Sequence, residues 1–383
     1  MWVPGYMDEP FEWYRNMRTQ HTVFRDETGV YVFGYAESKS ILNNYRLFSS
    51  QFRDFMAPEV AAQLNSMASA SILISDPPRH TKMRNLVNRA FTPKRISSYE
   101  EEIRGIAGYL IENIKSDRFD LVSSFSVPLP VLVISRILGV PEDHMAKFKE
   151  WSDKLAMELG RIGVDMDLQK EMASYFGKLI DERKGKLGDD LISLLIESEV
   201  DGEKLTKQDI VGFSVLLLAA GNETTTNLIT NGVLTLWENP GTFEILKNYP
   251  DLIPSTVEEV LRYRSPVQST RRMVAKDSEF GDIKLKRGDF VKVYLGSANR
   301  DPAVFSEPEK FIPDRENNRH IAFGEGIHFC LGAPLARLEG KIAFETLTSK
   351  YRDIEVKKLE SSERLDSDIM YGFKRLPVQA VHN

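Results

Sequence analysis

Cys330 is the only thiol in the 383-residue chain, and it lies in the run Phe323-Gly-Glu-Gly326-Ile-His328-Phe-Cys330-Leu-Gly332. Gly324 and Gly326 suit a backbone that must turn tightly. Gly332 removes bulk where a helix opens, with Pro334 tolerated in its first turn. A thiolate at this place faces the positive end of that helix and several free N–H groups, both of which stabilise the anion. An iron ligand needs these conditions, because the metal takes the thiolate and N–H donors to sulfur tune its potential. His328, two residues away, could donate to an anionic group beside the metal. Lone cysteines are more often small buried hydrophobes, but six specified positions in ten residues are hard to meet by chance.

Other groups are spaced for chemistry. Ala219-Ala220-Gly221 precedes Asn222-Glu223-Thr224, all within one long helical pattern. A hydroxyl such as Thr224 can hold a water or a bound oxygen, and a neighbouring carboxylate such as Glu223 can relay protons. The plainer reading is a tightly packed helix crossing. Glu259 and Arg262 stand at i, i+3 and face each other on a helix, which usually means a surface ion pair. Asp76-Pro-Pro-Arg-His80-Thr-Lys-Met-Arg84 precedes a helix and sets His80 and Arg84 on one face, otherwise read as a solvated basic side.

Taken together, these motifs resemble those of cytochromes P450, in the order that family has them, from about Pro10 to Tyr371–Val378. The resemblance implies that Cys330 is the axial ligand of haem b (iron protoporphyrin IX), with Phe323 packed beneath the porphyrin and His328 at a propionate. It implies that His80, Arg84 and an arginine of Ser265–Arg272 also meet the propionates. Counting back from Asp277 favours Arg272 over Arg271. It makes Ala220 and Gly332 positions that give the cofactor room, and Glu223 with Thr224 the pair that manages protons over it. Glu259 and Arg262 become a buried anchor behind the cysteine loop. The family adds a further basic residue to that anchor; Lys310 stands where Arg is frequent, a departure, so Arg315 is expected to complete it.

The implied activity is that of a monooxygenase hydroxylating or epoxidising a hydrophobic small molecule with O2. No flavin or iron–sulfur segment is present, so electrons must come from a separate, ferredoxin-like protein. Substrate contacts are expected near Leu64–Leu73, in 151–166, at Leu216 and Ala219, and from Val267 to Thr270. A peroxide-driven fatty-acid hydroxylase would share the fold but typically lacks the acid–alcohol pair. A haem sensor would not need Glu223 and Thr224, and a haem-free protein would leave the glycine loop unexplained.

The elements that must hold these residues are mostly helical, with amphipathic stretches at about 98–116, 128–139, 142–159, 167–184, 206–238 and 333–350. Thr206-Lys-Gln-Asp209 predicts a capped helix start, and the pattern runs without proline to Asn239-Pro240. Short strands are expected at Val30–Tyr35 and between about 270 and 295. No repeat or linker divides the chain, so the expectation is one mainly α (α+β) domain over residues 1–383, acting as a monomer. A net charge of −6 argues against a nucleic-acid partner. Six basic residues and no acid lie between Pro77 and Tyr99 (Arg79, Lys82, Arg84, Arg89, Lys94 and Arg95), a docking patch for anions or a solvated face. No run reaches the roughly 18 apolar residues of a membrane span, and Met1–Gly5 opens no signal peptide. A cytoplasmic protein without a membrane anchor is expected. Short loops, the charged fraction and the single Cys are compatible with a thermophilic source.

Overall fold

Thr206 caps the longest helix in the way its spacing predicts. In the computed structural model its side chain accepts from the Asp209 N–H at 3.1 Å, while the Asp209 carboxylate accepts from the Thr206 N–H at 3.0 Å. The helix runs Lys207–Glu238, 32 residues or about 48 Å, and stops ahead of Pro240, which cannot continue it. The structure describes residues 9–57, 72–88, 91–158, 166–200, 202–357 and 362–382.

This helix is the axis of the molecule. From Thr225 to Leu236 every residue is buried, as a helix enclosed on all sides must be. Helices Pro128–Ile137, Met166–Arg183 and Ala333–Lys350 pack along it. The last of these follows the cysteine. Its Phe344 ring lies on the backbone of Gly232, where a Cβ would fall 2.2 Å from the ring. Gly232, not Gly221, is therefore the close helix approach; a Cβ on Gly221 would meet no atom within 4 Å.

Among the described residues there are sheets of five and three strands and three two-stranded ones. The five-stranded sheet orders Val23–Arg25, Val30–Val32, Phe290–Val293, Thr270–Val274 and Phe48–Ser49. Its one parallel pair joins Val30–Val32 to Phe290–Val293, and Arg272 sits opposite Val291. The expected strand at Val30–Tyr35 ends at Val32, because Tyr35 already opens the helix Tyr35–Asn43. The three-stranded sheet orders Asp353–Val356, Pro377–Val381 and Arg118–Asp120. The fold is thus mainly α with small sheets, the architecture the periodicity predicted. Among the described residues, no helix is long and apolar enough to cross a membrane.

One buried group strains this packing. Glu339, on the helix after the cysteine, is 2% exposed, and among the described residues its Oε2 has no hydrogen-bond partner. Burial pushes its carboxyl up to about 8, so it is neutral at pH 7 in the folded chain and ionised in the unfolded one. The folded state is then favoured most below pH 4.5 and loses roughly 1.4 kcal/mol per pH unit up to about 8. Glu339→Gln keeps the shape and removes the titration. Melting temperatures taken from pH 5 to 8 are expected to fall with pH in the parent and to fall less in the variant.

Candidate functional site

The cysteine loop is shaped by hydrogen bonds that double back on themselves. The Cys330 N–H donates to the Phe323 carbonyl at 2.9 Å, and the Phe329 N–H to that of Gly326 at 3.1 Å. Gly326 has φ +70°, and a Cβ there would meet the Leu42 carbonyl at 2.6 Å, so conformation and space both require glycine. Burial pushes the Cys330 thiol up. The N–H groups of Gly332 and Ala333 and the charges of Arg84 and Arg337 act against it. The sulfur therefore sits in a pocket built to hold an anion once something replaces its proton. Among the described residues no cluster of His, Cys, Asp or Glu could hold a bare metal ion. Cys330 would give one bond to a metal that brings its other ligands with it.

Two histidines and two arginines gather on one side of the loop. His80 is 2% exposed, and its ring lies 4.4 Å from that of His328. Among the described residues the Nε2 atoms of both rings lack a hydrogen-bond partner; the nearest acid to His328 is Asp76, with Oδ1 at 3.9 Å. Burial, then the charges of His328 and Arg84, holds His80 down to about 4. Arg84 donates from Nη2 to the Phe329 carbonyl at 2.7 Å and feels the charge of Cys330. Arg272 is buried too, and burial pushes it down to about 10 against the pull of Asp76. Its neighbour Arg271 points elsewhere, to Asp368 at 3.4 Å.

Two arginines and two histidines thus converge with a single carboxylate, itself occupied by the Ser49 hydroxyl and the Ser50 N–H. Burying a guanidinium and two imidazole nitrogens without partners is costly, so this group of donors is made for an anion. It fits a cofactor whose metal would meet Cys330 and whose carboxylate arms would take the two guanidinium groups and the two imidazoles, which is the chemistry of haem.

Beneath the loop, Phe323 carries the Arg337 guanidinium 4.6 Å from its ring centre. Arg337 pairs with Glu258 at 2.7 and 2.8 Å, and Glu258 also meets His320 at 3.1 Å. Despite burial, those partners hold the Glu258 carboxyl down to about 2. The sequence reading missed this network. Its only signals were an acid adjacent to Glu259 and an arginine two helical turns past the cysteine.

Behind it, Glu259 and Arg262 are fully buried. Arg262 donates from Nε and Nη2 to the two carboxylate oxygens, each at 2.8 Å. Arg315 Nε lies 3.0 Å from both oxygens, and the Ile312 N–H and Asn318 add further bonds. Lys310 sends its ammonium out to Glu307, while its backbone carbonyl accepts from Arg262 at 2.9 Å and Arg315 at 3.0 Å.

On the long helix, Leu216, Ala219, Ala220, Gly221, Glu223 and Thr224 stay partly or fully exposed, while Asn222 and everything from Thr225 to Leu236 is buried. Small side chains here open an inner face rather than a helix contact. The Thr224 hydroxyl donates to the Ala220 carbonyl at 3.0 Å. Gly332 is likewise open, with nothing within 4 Å of a Cβ. Val267 is half-buried and bridges to Met370. Of the expected substrate segments, residues 58–71 and 159–165 lie outside the described residues, which removes most of Leu64–Leu73 and the end of 151–166.

A family model described as Cytochrome P450 matches residues 131–248 and 251–380. The putative cytochrome P450 YjiB of Bacillus subtilis is 42% identical over 382 residues, covering 97% of this chain and 93% of that one. Substrate-free CYP109E1 from Bacillus megaterium superimposes with a TM-score of 0.91 at 41% identity, covering 98% and 99% of the two chains. The same enzyme in complex with testosterone gives 0.87 at 42%, covering 97% and 99%.

Proposed function

The chain belongs to the cytochrome P450 family, and from that premise we propose how its own residues serve the reaction. It is a haem-thiolate monooxygenase that draws electrons from a separate redox partner. The haem, when bound, supplies the activation of O2 and the insertion of one oxygen atom into an apolar substrate. We propose haem b, whose iron the Cys330 thiolate would hold, with Phe323 packed beside the ring. His80, Arg84, Arg272 and His328 take its two carboxylates, and Gly332 and Ala220 leave it room. The observation that carries this reading is the set of unpartnered imidazole nitrogens and two guanidinium groups gathered beside the sole thiol.

On the long helix, Glu223 would hold and pass protons, and the Thr224 hydroxyl, which gives its own proton to the Ala220 carbonyl, would accept a hydrogen bond beside it. Leu216, Ala219 and Val267 line the apolar side where a hydrophobic substrate lies; the testosterone-bound relative supports a molecule of that size and polarity. Thr224→Ala and Glu223→Gln are expected to keep the haem and to lower product formed per electron consumed. Turnover should fall on the order of 100-fold, the scale of a lost acid–base group. Measured coupling equal to the parent in both variants would end this assignment.

The donor is proposed to be ferredoxin-like and the enzyme a cytoplasmic monomer. The basic segment is smaller as a docking patch than its sequence suggests. Lys82 pairs with Glu203 at 2.7 Å, Arg95 with Asp189 at 2.9 Å, and Arg84 turns inward. Arg89 lies outside the described residues. Arg79 and Lys94 remain exposed, and Arg79 shares a helix with Arg84, which reaches the cysteine loop. Arg79→Glu is therefore expected to slow reduction by the partner several-fold at low salt, with the difference shrinking as salt screens it. Lys82→Glu should do less. Stopped-flow reduction rates at two ionic strengths check both.

A further inference from the structure

The second half of the long helix carries a polar residue at every fourth position: Glu223, Asn227, Asn231 and Thr235, with Glu238 at the end. Residues four apart are neighbours on one helical face. Asn227, Asn231 and Thr235 are each 0% exposed; the buried hydroxyls of Thr226 and Thr230 in the same stretch donate to backbone carbonyls.

The outer end of this stripe is tied together. Arg264 donates from Nη2 to Glu238 at 2.7 Å and from Nη1 to the Thr235 hydroxyl at 3.0 Å. Asn231 Nδ2 donates to the carbonyls of Arg264 and Tyr371 at 3.2 and 2.9 Å. The Glu238 side chain keeps 30% of its surface exposed, so this end reaches solvent. The inner end is different. Among the described residues, both amide atoms of Asn227 and Oδ1 of Asn231 have no hydrogen-bond partner, and at the outer end Nε of Arg264 has none either. Room for the Asn227 amide exists only because residue 372 is glycine, where a Cβ would fall 2.0 Å from Oδ1.

Buried polar groups of this kind are satisfied by protein or by ordered water. Successive members of the stripe are about 5–6 Å apart along the face. One water hydrogen-bonded at both ends spans that distance. We propose that the stripe is a water-bearing seam that carries protons from the Glu238–Arg264 end to Glu223, a proposal that rests on Glu223 being the acid of the reaction. The chemistry needs such a supply. Converting O2 and a C–H bond into an alcohol and one water consumes two protons from solvent and two electrons from the redox partner. The asparagines anchor the waters and exchange no proton themselves; Arg264 stays charged and orients the entrance.

Asn227→Leu tests this, because it is nearly isosteric and deletes no hydrogen bond within the described protein. In a high-resolution crystal structure of the holoenzyme, an ordered water is expected on the Asn227 amide and is expected to be lost in Asn227→Leu. That variant should give several-fold less product per electron and a larger solvent deuterium isotope effect, with haem content and the reduced-CO band intact. Asn227→Ser, still polar, should keep the water and most of the yield. An amide that is dry in the parent, a melting temperature that rises in Asn227→Leu, or an unchanged product yield would each overturn the seam. Glu223→Gln run alongside separates the two claims. If it stays fully coupled, the acid assignment fails; if it uncouples and Asn227→Leu does not, only the seam fails.

Discussion

Cys330→Ala is expected to abolish the red-shifted Soret band of the reduced, CO-bound protein and to bring substrate oxidation to background. The chain has no second thiol to substitute, and among the described residues no cluster of donors stands by to replace it. The loss should exceed the roughly 10–100-fold that follows removal of an outer-shell partner of a metal ligand, because here the ligand itself goes. The cationic side chains remain, so the variant should still bind some porphyrin through its carboxylates. Pigment without the shifted band is therefore the expected result, and a normal band in Cys330→Ala would show that another group ligates the iron.

The second large effect is expected at Glu259, on stability instead of spectrum. Its carboxylate receives Arg262, Arg315, Asn318 and the Ile312 N–H in a site closed to water. Removing one partner of a buried ion pair leaves an uncompensated charge and costs about 3–5 kcal/mol. Glu259→Gln leaves two arginines in that state, so denaturant titration should show a loss at the upper end of this range. Lys310→Ala should be close to silent, since that residue contributes its carbonyl and keeps its ammonium outside. Arg315→Ala should cost far more than Lys310→Ala, and the reverse order would contradict the hydrogen bonds described.

The helices were readable because each advertises itself locally. The capping box at Thr206 and the proline at 240 bracket the long helix to within two residues of its ends. The cysteine loop was readable because its glycines answer local demands, as the φ of Gly326 shows. What could not be read is what depends on distant partners. Nothing near Thr270–Val274 announces that it pairs with Phe48–Ser49, more than 200 residues earlier. The three-stranded sheet that joins Arg118–Asp120 to Pro377–Val381 is hidden for the same reason. Lys82 and Arg95 looked like free charge because their acids, Glu203 and Asp189, stand about 100 residues away. Ala219-Ala220-Gly221 left two readings open, helix packing or room beside a cofactor, because glycine in a helix marks a need for space and does not say who uses it; the residue under a neighbouring ring is Gly232.

The contact of Phe344 on Gly232 has an evolutionary consequence. It clamps the floor that holds the sulfur to the beam that carries Glu223 and Thr224, so the gap between them is settled by helix packing. Leu216, Ala219 and Val267 take no part in that clamp and are already partly uncovered. Such positions can drift at little thermodynamic risk, and a lineage built on this frame is free to explore new molecules while its oxidising machinery stands still.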